Sequence, residues 1–226
     1  MAYPNLAIFF ESSRQYRGGK SVWVKDGNGE DRKNVLLGCT IANPPKGMGH
    51  LWAAQLFQYT PFESGYIFRS FAVKTATVAD TDKVIYLNGD GYSDNPEVGM
   101  VLMAAPATAT TAGQSAVVTA VEYDSANTQF IVTLDTALGA LTTSSILVEA
   151  AGTEASATAT VLVPNPNTFI EADRDLIPTD GSYGLSNVSY DISTVYDKQA
   201  WIARMQPLPS YVLAKNRSYI DGIFWI

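Results

Sequence analysis

The residue types that carry most enzyme chemistry are scarce in this chain. His50 is the only histidine and Cys39 the only cysteine among 226 residues. A serine or cysteine nucleophile needs a neighbouring base, yet His50 lies in an ordinary Met-Gly-His-Leu-Trp stretch and no Gly-x-Ser-x-Gly motif occurs. Zinc sites of the usual kind need three or four nitrogen or sulfur ligands. We therefore predict no catalytic residue, no metal site and no cofactor; His50 is interpreted as a turn or half-buried residue, and Cys39 as a small buried one.

Two acidic loops could supply oxygen ligands to calcium. Asp26, Asn28 and Glu30 alternate along the chain, but position 31 holds aspartate where a calcium loop requires glycine, and position 37 holds leucine where it requires glutamate. We interpret this stretch as a hairpin turn. Asn88–Asp94 could bind calcium only as an irregular loop. The 22 acids also allow carboxylate pairs of the kind that glycoside hydrolases use, although most of them lie in turn clusters where aspartate caps the backbone.

The distribution of charge argues against a nucleic-acid or membrane partner. Residues 84–173 contain no lysine or arginine but ten acidic side chains, and the net charge of the chain is −7. Affinity for nucleic acid is built from lysine and arginine contacts to phosphate, and a negative protein repels anionic lipid. We therefore predict neither partner. Trypsin-like proteases also lack a cleavage site across residues 84–173.

Length and composition predict a stable β-rich protein without cross-links. A chain of 226 residues has room for one large domain or two small ones. A lone cysteine forms no intramolecular disulfide, which fits a reducing compartment such as the cytosol. The first residues lack the basic and apolar regions of a signal peptide, and no apolar run reaches the roughly 18 residues of a membrane helix.

Strand signals dominate the chain. Asp-Gly and Asn-Gly dipeptides between β-forming residues predict a hairpin over residues 21–37. Residues 51–59 are interpreted as part of a hairpin, with one helical turn as the alternative, and Tyr66–Val73 as the strand that follows. The remaining predicted strands are Val84–Leu87, Val98–Ala105, Ala116–Tyr123, Gln129–Leu134, Ser144–Ala151 and Ser186–Val195, the last as half of a hairpin with Ala200–Met205. Ser144–Ala151 weakly echoes Val98–Ala105.

These elements predict a mainly β fold: a small antiparallel barrel or sandwich module with flanking β-hairpins and one short C-terminal helix. The helix is expected from Pro207 to Lys215, because proline is favoured in a first turn. We divide the chain into an N-terminal hairpin or attachment segment (1–43), a β module (44–163), and a C-terminal β-hairpin with the short helix packing on the same module (164–226).

Aromatic residues are plentiful and concentrate between Trp52 and Phe71. Such residues dominate both cores and interfaces, so most are expected in the core and some in a ligand or protein surface. Aromatic side chains near the two termini are candidates for docking onto a partner or a sister subunit. These candidate interface residues are Tyr3, Phe9, Phe10, Tyr16, Phe224 and Trp225.

Several turn-plus-strand phrases follow one another from Lys83 onward. They are Ile85–Ser93, Pro96–Thr110, Leu138–Leu141, Ile146–Ala151, Asn165–Asn167, Pro207–Pro209, Ala214–Asn216 and Asp221–Gly222. In these phrases the chain resembles the head-fibre or capsid-decoration proteins of tailed phages that infect Bacteroidetes, including crAss-like phages. The segment up to Asn43 has no counterpart in them.

The resemblance implies a virion structural protein on the outside of the phage capsid, assembled in the host cytoplasm. It implies binding to the major capsid protein and a homo-oligomer, with a trimer favoured, and it offers no catalytic residues to carry over. A face that adheres to a host-surface glycan is compatible with this function. The alternatives are another virion component, such as a tail or portal-vertex adaptor, and a glycan-binding or depolymerase protein.

Overall fold

The computed structural model describes residues 39–45, 49–52, 54–58, 64–77, 81–91, 94–170, 174–176, 189–190, 194–195 and 205–214. The fold is mainly β, as predicted. Its strands are β1 (Cys39–Ile41), β2 (Gly49–Leu51), β3 (Leu56–Gln58), β4 (Ser64–Ile67), β5 (Ser70–Thr75), β6 (Val84–Asn88), β7 (Val101–Ala104), β8 (Ser115–Asp124), β9 (Gln129–Leu134), β10 (Ile146–Glu149), β11 (Thr168–Ile170), β12 (Arg174–Leu176), β13 (Ser189–Tyr190) and β14 (Thr194–Val195).

One helical turn, α1 (Ser210–Leu213), follows Pro209 and confirms the predicted short helix. It is shorter than expected, and Lys215 lies outside the described residues. Tyr211 and Val212 are buried. Within the part of the chain that the structure describes, no helix is long and apolar enough to cross a membrane.

The chain forms two compact units. One consists of Arg69–Pro164 together with Gln206–Ala214, and the other contains the described residues before Arg69 and between Asn165 and Met205. The segment Arg69–Pro164 is therefore inserted between two parts of the other unit, and the chain returns to the first unit at Gln206–Ala214. The three-part division at residues 43 and 163 stays a prediction.

The inserted unit is a closed antiparallel barrel of six strands in the order β5-β6-β9-β8-β7-β10. Strands β5 and β8 each belong to both sheets of this ring, β5-β10-β7-β8 and β5-β6-β9-β8, and each carries a β-bulge, at Val73/Thr75 and at Val118/Ala120. Bulges bend a strand and increase its twist, so they form the corners where two packed sheets join. The barrel is thus flattened toward a sandwich, which combines the two predicted forms.

Alternating side chains fill the barrel. Along β6, Ile85 and Leu87 are buried while Val84 is exposed. Phe130, Val132 and Leu134 are the buried positions that alternate along β9. Because successive strand residues face opposite sides, this alternation places one apolar row per strand inside the barrel.

Each connection between strands lies at one of the two ends of the barrel, and the strand directions show which end. Residues 76–83, 105–114 and 135–145 join strands at one end, which we call the hydroxyl end. Residues 89–100 and 125–128 join strands at the opposite end, where β5 begins and β10 finishes. We call this the charged end, for the side chains described below.

The other unit holds a six-stranded sheet in the order β13-β1-β4-β3-β11-β14, with β1 and β4 parallel, and the β2–β12 pair. The two edge strands are close in sequence, because Tyr190 ends one and Thr194 begins the other. Four residue steps span at most about 14 Å, whereas five strand spacings across a flat sheet amount to about 24 Å. The sheet must therefore curl until its edges approach each other.

Two strand predictions are corrected. Tyr66–Val73 is not one strand, because β4 ends at Ile67 and β5 starts at Ser70. The Ile67 N–H donates to Asn43 Oδ1 at 2.8 Å, and the Asn43 side-chain amide donates to Ile67 O at 2.9 Å. The backbone changes pairing partners beyond this point. Residues 51–59 are likewise divided by a turn in which Gln55 N–H donates to Trp52 O at 3.0 Å. The hairpin itself is confirmed, as β3 pairs with β4. The predicted hairpin at 21–37 lies outside the described residues.

Candidate functional site

The charged end is closed by a buried arginine between two glutamates. The Arg69 Nη1 atom lies 3.8 Å from Glu97 Oε2 and 3.8 Å from Glu149 Oε2. The Arg69 side chain is 7% exposed, and those of Glu97 and Glu149 are 20% and 14% exposed. A guanidinium in such a place is stabilised by the nearby carboxylates, which offset its loss of hydration. These three residues, which we call the ion triad, fasten the 89–100 loop to the start of β5 and the end of β10.

A second polar contact holds the same loop. Ser70 N–H donates to Asp94 Oδ2 at 2.9 Å, and Asp94 N–H donates to Ser70 O at 3.3 Å. Both residues are buried. The pair gives Asp94 a structural function at the end of the loop that sequence analysis had considered for irregular calcium binding.

A second surface begins at the hydroxyl end. We define the hydroxyl surface as residues 105–114 and 142–145 at that end, together with residues 151–160, which follow β10 at the charged end and reach Gly113 through Ala159. This surface contains one charged side chain, Glu154. Its exposed hydroxyl residues are Thr108, Thr110, Thr111, Thr142, Thr143, Ser144, Thr153, Ser156, Thr158 and Thr160. Between them lie exposed alanines, so the surface presents hydroxyl and methyl groups.

Backbone hydrogen bonds join the three segments of this surface. Ala105 N–H donates to Ile146 O at 2.8 Å, which places the first segment beside the second. Gly113 and Ala159 exchange two backbone bonds of 2.9 and 3.0 Å, which join the first segment to the third. Residues far apart in sequence therefore form one continuous patch.

Many hydroxyls of the patch bond to one another. Thr108 and Thr111 share a hydrogen bond of 2.8 Å between their hydroxyl groups, and Thr142 and Ser144 share one of 2.9 Å. The Ser156 N–H donates to the hydroxyl of Ser115 at 3.0 Å. Side chains that are held in this way lose less rotamer entropy on binding, which favours contact with a partner.

The structure places the predicted residues as follows. Trp52, Phe57, Phe68 and Phe71 are buried, which confirms the core role expected for most of the aromatic cluster. For Cys39 and His50 the structure describes only the backbone, in β1 and β2. All six candidate interface residues lie outside the described residues: Tyr3, Phe9, Phe10, Tyr16, Phe224 and Trp225.

No group of three or more metal-ligating side chains occurs among the residues that are described. The ion triad has no signal in the sequence, because its members are separated by 28 and 52 positions and no local motif links them. The hydroxyl surface did have a signal, the Ala/Thr/Ser composition of a region without lysine or arginine, but composition could not show that the segments meet.

Comparison with known proteins gives no relative. No protein-family model matches the chain, and no curated protein sequence matches it.

Proposed function

We propose that this protein is a virion structural protein, a head fibre or decoration protein that binds the major capsid protein on the outside of a tailed-phage head. The observation that carries the proposal is the hydroxyl surface, an extended and nearly uncharged patch on a closed β barrel. Such a patch suits contact with another protein better than chemistry on a small molecule, because nearly all of its groups are neutral and many of its hydroxyls are hydrogen-bonded to one another. The resemblance of this chain's turn-plus-strand phrases to those of phage head proteins favours the same function.

The charge of the chain is compatible with that location. With a net charge of −7 and no lysine or arginine in residues 84–173, the barrel would be repelled by packaged DNA. The same stretch offers trypsin no site of cleavage, which is useful on the exterior of a particle in a protease-rich environment. On this proposal the chain is made in the host cytoplasm and acts as a homo-oligomer, with a trimer favoured.

The direct test is to locate the chain in purified phage particles. We expect mass spectrometry to detect it in gradient-purified virions and cryo-electron microscopy to show its two β units on the outer capsid surface. Its absence from the particles would overturn the proposal. Density at the tail or portal vertex would instead support the adaptor alternative, and release of oligosaccharides from host glycans by the purified protein would support a depolymerase.

A binding experiment tests the hydroxyl surface itself. Thr110→Arg and Thr158→Arg each place a charge on the patch, and burial of an unpaired charge at an interface weakens binding by about tenfold or more. Glu122→Arg, on an exposed position of β8, is the matched control. Particles stripped of the protein should rebind the control but not the two threonine variants. Equal rebinding by all three would exclude the patch as the capsid-binding surface.

A further inference from the structure

We infer that the barrel is an internal duplication: two three-stranded halves, β5–β6–β7 and β8–β9–β10, related by a two-fold axis. Each half pairs through its strand edges with a second half of the same kind. In this protein both halves belong to the same chain. The ion triad distinguishes the two ends of the barrel. This inference does not rest on the proposed function.

The strand registers establish the axis. In the β7–β10 pair Met103 lies opposite Val148, and the neighbouring pairs are Leu102 with Glu149 and Ala104 with Leu147. Adding 45 to each β7 number gives the equivalent β10 residue, so the Met103–Val148 pair maps onto itself. In the β6–β9 pair, adding 47 to a β6 number gives the equivalent β9 residue.

That second central pair obeys the same rule. Ile85 lies opposite Val132, while Val84 opposite Thr133 mirrors Tyr86 opposite Ile131. A two-fold axis must pass through each self-related pair, as in an isologous interface between two subunits. The axis therefore runs across the barrel from one central pair to the other.

The outer strands follow the same relation. Ser115 pairs with Met103, and the equivalent Ser70 pairs with Val148. The β-bulge of β5 falls between Val73 and Thr75, and that of β8 between Val118 and Ala120, which are the same positions 45 residues later. Bulges interrupt a ladder at specific places, so their coincidence is strong evidence of equivalence.

Three pairs of hydrogen bonds outside the ladders also correspond. Met100 N–H donates to Glu97 O at 3.1 Å, and Ser145 N–H donates to Thr142 O at 2.9 Å. The other two matched pairs are Val118 N–H to Met100 O (2.8 Å) with Val73 N–H to Ser145 O (3.1 Å), and Ala105 N–H to Ile146 O with Ala150 N–H to Val101 O, both 2.8 Å. The turn before β7 and the turn before β10 are thus equivalent.

Several buried side chains are identical between the halves. The identical pairs are Ser70 and Ser115, Val73 and Val118, Leu87 and Leu134, and Leu102 and Leu147. Ile85 corresponds to Val132, which is another branched apolar residue. Identity is thus concentrated where the halves pack, while the exposed positions differ.

The symmetry is broken at the two ends. The residues equivalent to Arg69, Glu97 and Glu149 are Gln114, Thr142 and Ala104, which are neutral and exposed at the hydroxyl end. The charged end therefore carries a buried cation between two carboxylates, whereas the equivalent positions at the hydroxyl end carry an amide, a hydroxyl and a methyl group. Arg69 and Glu97 come from one half and Glu149 from the other, so the charge cluster favours the pairing of these two unlike halves over pairing between like halves of two chains, because ionic groups can specify register and partner.

A double-mutant cycle in the full chain tests the equivalence of Glu97 and Thr142. If the ends are equivalent, a glutamate introduced at position 142 lies near an arginine introduced at position 114, as Glu97 lies near Arg69. Position 143 corresponds instead to Val98, which is 52% exposed. Gln114→Arg with Thr142→Glu should show favourable coupling of about 1.4- to 5-fold in the unfolding equilibrium constant. Gln114→Arg with Thr143→Glu, the control, should show none. Coupling at 142 should also fall at high salt.

Absence of coupling at position 142, or equal coupling at both positions, would overturn the inference. A second test exchanges the two ends: Arg69→Gln, Glu97→Thr and Glu149→Ala are combined with Gln114→Arg, Thr142→Glu and Ala104→Glu. This end-exchanged chain should unfold at a higher urea concentration than Arg69→Gln alone, which leaves two carboxylates without their cation. An end-exchanged chain no more stable than that single variant would contradict equivalent ends.

Discussion

Gly89 lies against the ring of Tyr123, so closely that a Cβ at position 89 would be 2.7 Å from the Cε2 atom of that ring. The ring in turn packs on Phe130, with ring centroids 5.1 Å apart. The same Cβ would be 3.2 Å from Gln129 N, which belongs to the backbone and cannot rotate away. A side chain at position 89 therefore requires the Tyr123 ring and the neighbouring backbone to shift.

Gly89→Ala should lower the free energy of unfolding by about 1–3 kcal/mol, the usual cost of overpacking. Urea denaturation followed by far-UV circular dichroism would measure it. Gly113→Ala is the control, because its nearest neighbour is the flexible Met103 Cε at 3.3 Å. An alanine at 89 tolerated as well as one at 113 would show that the ring moves aside freely.

Asp124 organises the turn between β8 and β9 and predicts a pH dependence. The side-chain amide of Asn127 is the largest cause that lowers the pKa of Asp124 below its usual value of 3.8, and further hydrogen bonds from the Asn127 backbone, Gln129 and Ala126 act with it against a partial desolvation. A carboxylate whose pKa is lowered in the folded state contributes stability above its usual pKa and loses it as the pH falls through the lowered value.

Asp124→Asn should therefore destabilise the protein at neutral pH and have a smaller effect in acid. Urea midpoints measured at about pH 7 and about pH 3 would show the difference between the variant and the wild type shrinking as Asp124 becomes protonated. A difference that stays constant with pH would show that the carboxylate charge has no part in holding the turn.

Asp94 fixes the 89–100 loop through the buried amide of Ser70. Asp94→Ala should cost about 1–3 kcal/mol, because it leaves a buried N–H without its acceptor. Asp94→Asn should cost less, since the amide oxygen can still accept. Thermal unfolding would rank the two against Glu122→Ala, an exposed control. An alanine variant as stable as that control would contradict the contact.

Tyr211 in α1 predicts a loss of stability in alkali. Burial of its hydroxyl raises the pKa of Tyr211 well above its usual value of 10.0. An acid with a raised pKa binds its proton more tightly when folded, so its contribution to stability is complete below pH 10 and declines as the pH rises beyond it. Tyr211→Phe should reduce the fall in urea midpoint between about pH 9 and about pH 11. An unchanged fall would place the alkaline sensitivity at other tyrosines.

Some of these features were predictable from sequence and others were not. The strands from Val84 to Glu149 were predicted within a few residues, because alternation of apolar and polar side chains is a local pattern. The break between Ile67 and Ser70 was missed, since Tyr66–Val73 is uniformly β-forming and only the Asn43 side chain, 24 positions away, shows where the ladder ends. The weak echo of Val98–Ala105 in Ser144–Ala151 was visible in sequence, but the two-fold relation needed the registers.

The sequence by itself determined that this protein is β-rich, acidic and without positive charge across residues 84–173, because composition and period-two alternation require no knowledge of distant contacts. Tertiary structure alone decided that the central strands close into a barrel with a charged end and a hydroxyl end. Closure depends on which strands hydrogen-bond across the ring, and the ion triad depends on bringing residues 28 and 80 positions from Arg69 to within 3.8 Å of it. Such pairings arise from the packing of the whole unit and are not encoded in any short segment.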